Sequence, residues 1–338
     1  MKRDKPIAVF GAAGHTGRFV VAELRRRGWP VVVSGRDAAK LRVVADMHPV
    51  SEVRVASIDD PASLDRALSS AGAVINCAGP FLDTAAPVIE AALRARIHYL
   101  DLTAEQPAVL AAFDRFGDAA RHAGIVVAPA TAFYGGLSDL LATAAMGDWD
   151  AADEVNIAVA LDSWMPTRGT RLTGQRNTGR RYVLSNGRLE FLADPPPTRM
   201  WSFPAPFGAH EVVAVHFSET ILISRHLRTP EIRAYMNLAP LRDVRDPGTP
   251  APTAADDSGR SSQIFVVDVI VRRGSDERRA TARGRDIYAV TAPIVVEAAE
   301  RLLDGRFSEA GVAAPSALFD ARDFVRALSP EPLSVDIR

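Results

Sequence analysis

Residues 7–18 read Ile7-Ala8-Val9-Phe10-Gly11-Ala12-Ala13-Gly14-His15-Thr16-Gly17-Arg18, an apolar run followed by glycines at three-residue spacing. Four apolar residues ending at a glycine predict a strand buried on both faces, as in a parallel sheet. Glycines at 11, 14 and 17 then permit a tight turn, close backbone approach to a pyrophosphate and close packing of the next helix. Phe19, Val20, Val21, Ala22 and Leu24 continue as that helix, whose N-terminal amides and positive dipole end suit phosphate. The stretch predicts a dinucleotide site built on Gly11, Ala13, Gly14, His15, Thr16 and Gly17.

A second strand, Val31-Val32-Val33-Ser34-Gly35-Arg36, ends about 20 residues after the glycines, where NAD-binding proteins place an acid on the ribose 2′-hydroxyl. Here the chain offers Ser34 and Arg36. A guanidinium beside a hydroxyl suits a 2′-phosphate through charge-assisted, bidentate hydrogen bonds, so NADP(H) is expected over NAD(H). The competing reading leaves Arg36 in solvent and gives the ribose to Asp37.

Composition narrows the class. The 338 residues suffice for one large or two ordinary domains, and 47% hydrophobic residues with a formal charge of −1 describe a globular chain without electrostatic reason to bind nucleic acid. Cys77 is the single cysteine, which excludes an internal disulfide and agrees with a cytoplasmic location. The charged start Met1-Lys2-Arg3-Asp4-Lys5 lacks a signal-peptide pattern, and no apolar run reaches the roughly 18 residues of a membrane span. Lysine occurs only at positions 2, 5 and 40, so neither a Schiff-base lysine nor a Tyr-x-x-x-Lys dyad exists beyond Lys40.

Strand and helix patterns alternate through the first 130 residues, with strands at Val53–Ala56, Ala73–Cys77, His98–Leu102 and Ile125–Ala128 and helices between them. Near Asp150 the pattern changes to longer, alternating strands at Val155–Leu161, Val212–Phe217 and Ile264–Val271. The Pro- and Ser-containing stretch Asp246–Ser262 reads as a mobile loop, and helices return at Thr291–Leu303 and Phe319–Leu328. The expected architecture is α/β: a Rossmann-type doubly wound parallel sheet with an inserted α+β substrate domain. Its boundaries are expected at 1–145 plus 285–338 for the nucleotide domain and 146–284 for the substrate domain.

Several segments together resemble the saccharopine dehydrogenase-like family, which includes saccharopine reductases and trans-acting enoyl reductases. They are Gly11 to Gly17, Ser34-Gly35-Arg36-Asp37, Asn76-Cys77-Ala78-Gly79-Pro80-Phe81 and His98-Tyr99-Leu100-Asp101-Leu102-Thr103-Ala104-Glu105. Phe133 to Leu140 and Gly284 to Ala292 add to the likeness, which covers about 1–145 and 280–328 and is thin between. Ala104 replaces the family's usual glycine before Glu105, and the catalytic Lys–His pair of the saccharopine-forming oxidative enzymes is absent. The resemblance implies an NADP(H)-dependent reductase of a C=N or C=C bond.

In a doubly wound sheet the ligand lies beyond the carboxyl ends of the strands at the switch point. Cys77, Ala78, Gly79 and Pro80 are therefore expected beside the nicotinamide ribose. Asn76 either donates to the cofactor or closes its own strand end. Cys77 follows an apolar strand with no base near it, which argues against a nucleophile. Hydride transfer needs a positioned electrophile and a source of the second proton. Tyr134, beside Gly135-Gly136, is the first candidate donor, with Tyr99 and Asp101 next.

Arg168, Arg171, Arg176, Arg180, Arg181 and Arg188 occur with no acid between Asp162 and Glu190. They suit an anionic or carrier-linked substrate, or form a solvated face. Trp164, Trp201, Phe203 and Phe207 make either an apolar wall or ordinary packing. The histidines lack zinc spacing, so no metal is expected. The expected protein is a cytoplasmic oxidoreductase acting on a small-molecule substrate held between its domains. Its apolar content permits a homodimer without requiring one. Two other readings stand beside it: a non-catalytic NADP(H) sensor or partner protein, and a lyase or isomerase with permanently bound nicotinamide.

Overall fold

Ile7–Phe10 pairs in parallel with Val31–Gly35 on one side and Ala73–Asn76 on the other, and this placement organises the first sheet. In the computed structural model, which describes residues 4–338, seven parallel strands lie side by side. Their order is Gly311–Val312, Val126–Ala128, His98–Asp101, Ala73–Asn76, Ile7–Phe10, Val31–Gly35 and Glu52–Val55. The order reverses at Ile7–Phe10, the switch point at which such sheets bind ligands. Its central strands are wholly buried because helices cover both faces, whereas the edge strand Glu52–Val55 is largely exposed and carries charge. Met1 to Arg3, part of the charged start, lie outside the described residues.

The helices begin where the sequence supplies caps. Asp37 accepts from the Lys40 amide at 3.1 Å, and Asp60 accepts from the Ser63 amide at 3.1 Å with Pro61 in the first turn. Helix His15–Arg26 packs against Thr291–Leu303, and ions join the two. Arg27 bonds Glu23 and Glu297, each at 2.7 Å, and also Glu300, while Trp29 Nε1 donates to Glu300 at 2.6 Å.

The second unit is a mixed nine-stranded sheet with Glu154–Leu161 near its centre. That strand runs parallel to Ile232–Asn237 and antiparallel to Ile264–Arg273. A buried carboxylate, Asp268, is neutralised in place by Arg279 at 2.6 Å, with Trp201 Nε1 at 2.8 Å and the Thr281 hydroxyl at 2.9 Å. Trp201 and Phe203 thus belong to the packing of this sheet. Residues 246–263 form no helix or strand, and side chains such as Asp246, which accepts from the Gly248 amide, shape their turns.

The chain divides by its contacts into residues through Ala132 with Thr291–Phe319, and Phe133–Val290 with Asp320–Arg338. Two segments expected in the nucleotide domain therefore fall in the other unit. Helix Ser138–Met146 is almost entirely buried and packs on Ile264–Arg273, Asp276–Arg285 and helix Ala321–Ala327. Strand Ser334–Ile337 extends the mixed sheet along Asp276–Arg285. Among the described residues, no helix is long and apolar enough to cross a membrane.

Inside the second unit His226 Nε2 meets the fully buried Asp139 at 2.5 Å. Burial alone would lower the pKa of this imidazole; the Asp139 carboxylate overcomes that and lifts it. A raised folded-state pKa stabilises below the unfolded value and ceases to do so as pH rises through the folded value. The Tm advantage of the native protein over His226→Gln should therefore be larger at about pH 6 than at about pH 9. An advantage that grows with pH would refute the charged pair.

Candidate functional site

The first unit presents a phosphate cradle at the switch point. Gly11, at φ +81°, leaves the strand, its amide and that of Ala12 donating to the Ser34 carbonyl at 2.8 and 3.2 Å. A Cβ on Gly11 would lie 2.8 Å from the Ala78 amide nitrogen, so two strand-end loops cross where only glycine fits. A Cβ on Gly17 would lie 2.3 Å from the Gly11 carbonyl oxygen. Gly14 caps the helix without a side chain, and the first turn holds no acid, so no carboxylate competes for the amides of His15, Thr16 and Gly17. The cradle fits a pyrophosphate by shape and by charge.

At the end of the second strand, Ser34 is buried while Arg36 is exposed and makes no ion pair among the described residues. Asp37 is committed elsewhere: it caps helix Ala38–Met47 and meets Lys40 Nζ at 3.0 Å. The acid that follows the second strand is thus engaged by its own helix, and Arg36 beside it makes no ion pair among the described residues.

Beyond the fourth strand, Cys77, Ala78, Gly79 and Pro80 form the loop that crosses Gly11, with the Cys77 amide bonded to the Phe10 carbonyl at 2.7 Å. Burial, with the Asp101 charge, pushes the Cys77 thiol far above its ordinary range, so it stays protonated. Asn76 closes its strand end: Oδ1 accepts from Ala78, and Nδ2 donates to Thr84 and Tyr99, each at 3.3 Å. Tyr99 and Asp101, proposed from sequence as proton donors, occupy the interior of the same network. Tyr99 is wholly buried and donates to Asp101 Oδ2 at 2.8 Å; Asp101 Oδ1 takes the Ala130 and Thr103 amides at 2.7 and 3.0 Å. Their hydrogen bonds tie three strand ends together.

Glu105 has a role that sequence reasoning missed. Its buried carboxylate accepts the Phe81 and Leu82 amides at 2.8 and 3.2 Å and so caps helix Phe81–Ala95 from a distant loop. Burial raises its pKa and the two amides oppose that rise. Glu105→Ala should cost about 2–3 kcal/mol in a urea melt, since it strands two helix-end amides; a loss within error would remove the capping assignment.

Tyr134 lies in the second unit, on a π-helical turn, Phe133–Leu137, that leads into Ser138–Met146. Its ring stacks on Phe217 at 4.3 Å and tilts against Trp164 at 5.7 Å. The hydroxyl is buried and has no hydrogen-bond partner among the described residues. Burial, then the charges of Tyr288 and Glu219, raise its pKa far above an ordinary phenol, with Arg181 opposing. Tyr288 hydrogen-bonds Trp164 Nε1 at 3.0 Å and Thr170 at 2.9 Å. The arginine run does not act as one patch. Arg171 donates to the Asp246 and Thr249 carbonyls, Arg180 lies over Phe191, and Arg181 donates to the His216 carbonyl.

Residues 7–127 match the family model described as the saccharopine dehydrogenase NADP binding domain. Residues 7–127 therefore carry an NADP-binding domain of that type. Among curated proteins, the chain is 29% identical over 150 residues to a bovine saccharopine dehydrogenase-like oxidoreductase, covering 39% of this chain and 35% of that one. It is 33% identical over 122 residues to the human protein of the same name, covering 31% and 28%. A trans-acting enoyl reductase of Mycobacterium ulcerans is 28% identical over 110 residues, covering 31% and 26%. The chain thus spans about a third of the length of these relatives. Its overall fold matches yeast saccharopine dehydrogenase (L-Glu forming), with TM-score 0.69, 13% identity and coverage of 99% of this chain and 100% of that one.

Proposed function

From an NADP-binding domain of the saccharopine dehydrogenase type, we propose an NADP(H)-dependent reductase acting on a C=N or C=C bond of a small or carrier-linked metabolite. The observation that carries the reading is the pairing of a bare phosphate cradle with a free Arg36 beside an Asp37 already spent on capping. The bound cofactor supplies a hydride from its nicotinamide ring. Gly11 to Gly17 hold the pyrophosphate through backbone amides, with Ala78 to Pro80 packed against the turn. Arg36 pairs with the 2′-phosphate. Tyr134 supplies the second proton from its Oη, the only step that needs a side chain able to release one.

The name of the mycobacterial relative, a trans-acting enoyl reductase, supports a reductive reaction, the vertebrate names support an oxidoreductase, and the substrate is left to experiment. Cytoplasmic residence belongs to this reading and is supported by the lone cysteine. The test is NADPH oxidation, followed by loss of nicotinamide absorbance, against a panel of cyclic imines and conjugated enoyl thioesters. Turnover of one class identifies the bond reduced. Tight NADPH binding with no oxidation across the panel would contradict the reductase and favour a sensor.

A further inference from the structure

Two side chains of the second unit meet the Phe217 ring and a third meets its backbone amide. The Phe217 ring stacks on Tyr134 at 4.3 Å and lies 4.8 Å from the Arg181 guanidinium, and the Phe217 amide donates to Glu219 Oε1 at 2.8 Å. Glu219 is 2% exposed, yet only one of its oxygens is engaged. Oε1 takes the Phe217 amide and faces the Thr220 hydroxyl at 3.4 Å; Oε2 is buried without a hydrogen-bond partner among the described residues. Tyr134 Oη is in the same condition.

A neighbour fixes the direction of the bonds on Oε1. His216 is held neutral, its pKa pushed down to about 3 by burial and then by Arg233 and Arg181. Its Nε2 accepts from the Ala234 amide at 3.4 Å, so Nδ1 carries the proton and donates to the Thr220 hydroxyl at 2.8 Å. Thr220 is left to donate its own proton to Glu219 Oε1. All local donors thus converge on one oxygen. The other, buried and bare, is where a proton costs least.

We propose that Glu219 is the proton reservoir of Tyr134: its Oε2 holds a proton that restores the Tyr134 hydroxyl after that hydroxyl has given its own away. The proposal rests on the assignment of Tyr134 as proton donor. The Tyr134 O–H bond breaks as its proton leaves for substrate, and the electron pair stays as phenolate. The Glu219 Oε2–H bond then breaks and its proton passes to Tyr134 Oη through a bridging water, since the two atoms are not hydrogen-bonded to each other. The carboxylate so formed is stabilised by Arg181 and by the donors on Oε1, and a solvent proton resets it. Burial pushes the Glu219 carboxyl up to about 7, opposed by the Phe217 amide and Arg181, while Tyr134 remains far more basic, so transfer to the phenolate runs downhill. Glu219 is a positioning residue, since it acts through Tyr134.

The other ionisable groups on elements packed against helix Ser218–Ser224 are Asp139, Tyr182, Arg233 and Tyr235. Asp139 is paired with His226, and Arg233 with Glu231. Arg245 adds a further positive charge near Arg181, and Tyr288 lies near Tyr134.

Infrared difference spectra of the full chain, wild type minus Glu219→Gln, read the carbonyl band of a protonated carboxyl between about pH 5 and about pH 9. The band should titrate with a midpoint near 7 and move to higher pH in Arg181→Gln. Ultraviolet titration, wild type minus Tyr134→Phe, should place phenol ionisation at lower pH in a Glu219→Gln background, because a negative charge has been removed. Absence of the band, or a Tyr134 ionisation that Glu219→Gln leaves unmoved, would overturn the proposal. Should Glu219→Gln fail to fold, pH-difference spectra of the wild type and of Arg181→Gln, each taken against its own spectrum at about pH 9, read the band and its upward shift, and an unmoved band overturns the proposal. These readouts use neither substrate nor NADPH, so their failure leaves the assignment of Tyr134 standing; that assignment falls only if Tyr134→Phe keeps its turnover.

Discussion

Gly17→Ala is expected to weaken NADPH binding by at least about 30-fold, or about 2 kcal/mol, while leaving far-ultraviolet circular dichroism largely intact. The added methyl would sit 2.3 Å from the Gly11 carbonyl oxygen and 3.0 Å from Ala12 Cα, and both are backbone atoms. The loop must move, and with it the helix-end amides that would meet the pyrophosphate. Gly14→Ala makes a useful contrast. Its methyl meets only the Gly11 carbonyl oxygen, at 3.2 Å, so a loss below about 10-fold is expected from a few tenths of an ångström of adjustment. Nicotinamide fluorescence titration of the two variants gives the comparison. Equal affinities would mean that the cradle does not hold the cofactor.

Tyr134→Phe should separate activity from stability. Turnover is expected to fall by roughly 10²–10⁴-fold, the usual worth of a positioned proton donor. NADPH affinity should stay within about twofold, because the residue is assigned no part in holding the cofactor. The buried Tyr134 hydroxyl satisfies no partner among the described residues, and the ring stacks on Phe217 unchanged without it. Removing that hydroxyl should therefore leave Tm unchanged or raise it, by up to about 1–3 kcal/mol in stability. A purely structural tyrosine would show the opposite pattern, lower Tm with normal turnover. The first half of the prediction waits on a substrate; the second can be measured at once.

The first sheet was legible because its signals are local. An apolar run, a glycine at positive φ and an amphipathic helix occur in sequence order around Gly11, and Asp37 and Asp60 announce the helices they cap. The short strand Gly311–Val312 was not legible, since two residues carry no periodicity and its pairing with Val126–Val127 is set by tertiary structure. Asp276–Arg285 was missed for another reason: its arginines and acids suggest a loop, yet they reach out from a strand paired along its whole length with Ile264–Arg273.

The structure sets the glycine loop, the end of the second strand and Ala78 side by side, where the order of strands and the family likeness put them. The committed state of Tyr99, Asp101 and Asp37 could not be read from the sequence, because their partners lie in distant segments, as with the Ala130 amide on Asp101. Glu219 gave no sequence signal. It precedes the apolar run Ile221-Leu222-Ile223 and reads as the solvent end of a short helix, whereas that helix is buried throughout.

The most direct test of the central claim is a fluorescence titration of the native protein with NADPH and with NADH, repeated on Arg36→Ala. Native protein should bind NADPH well over tenfold more tightly than NADH, and Arg36→Ala should lose about 10–100-fold for NADPH while changing little for NADH, as expected for one charge-assisted phosphate contact. Equal binding of the two cofactors by the native protein, or equal losses in Arg36→Ala, would contradict an NADP(H) site built on Gly11 to Gly17 and Arg36.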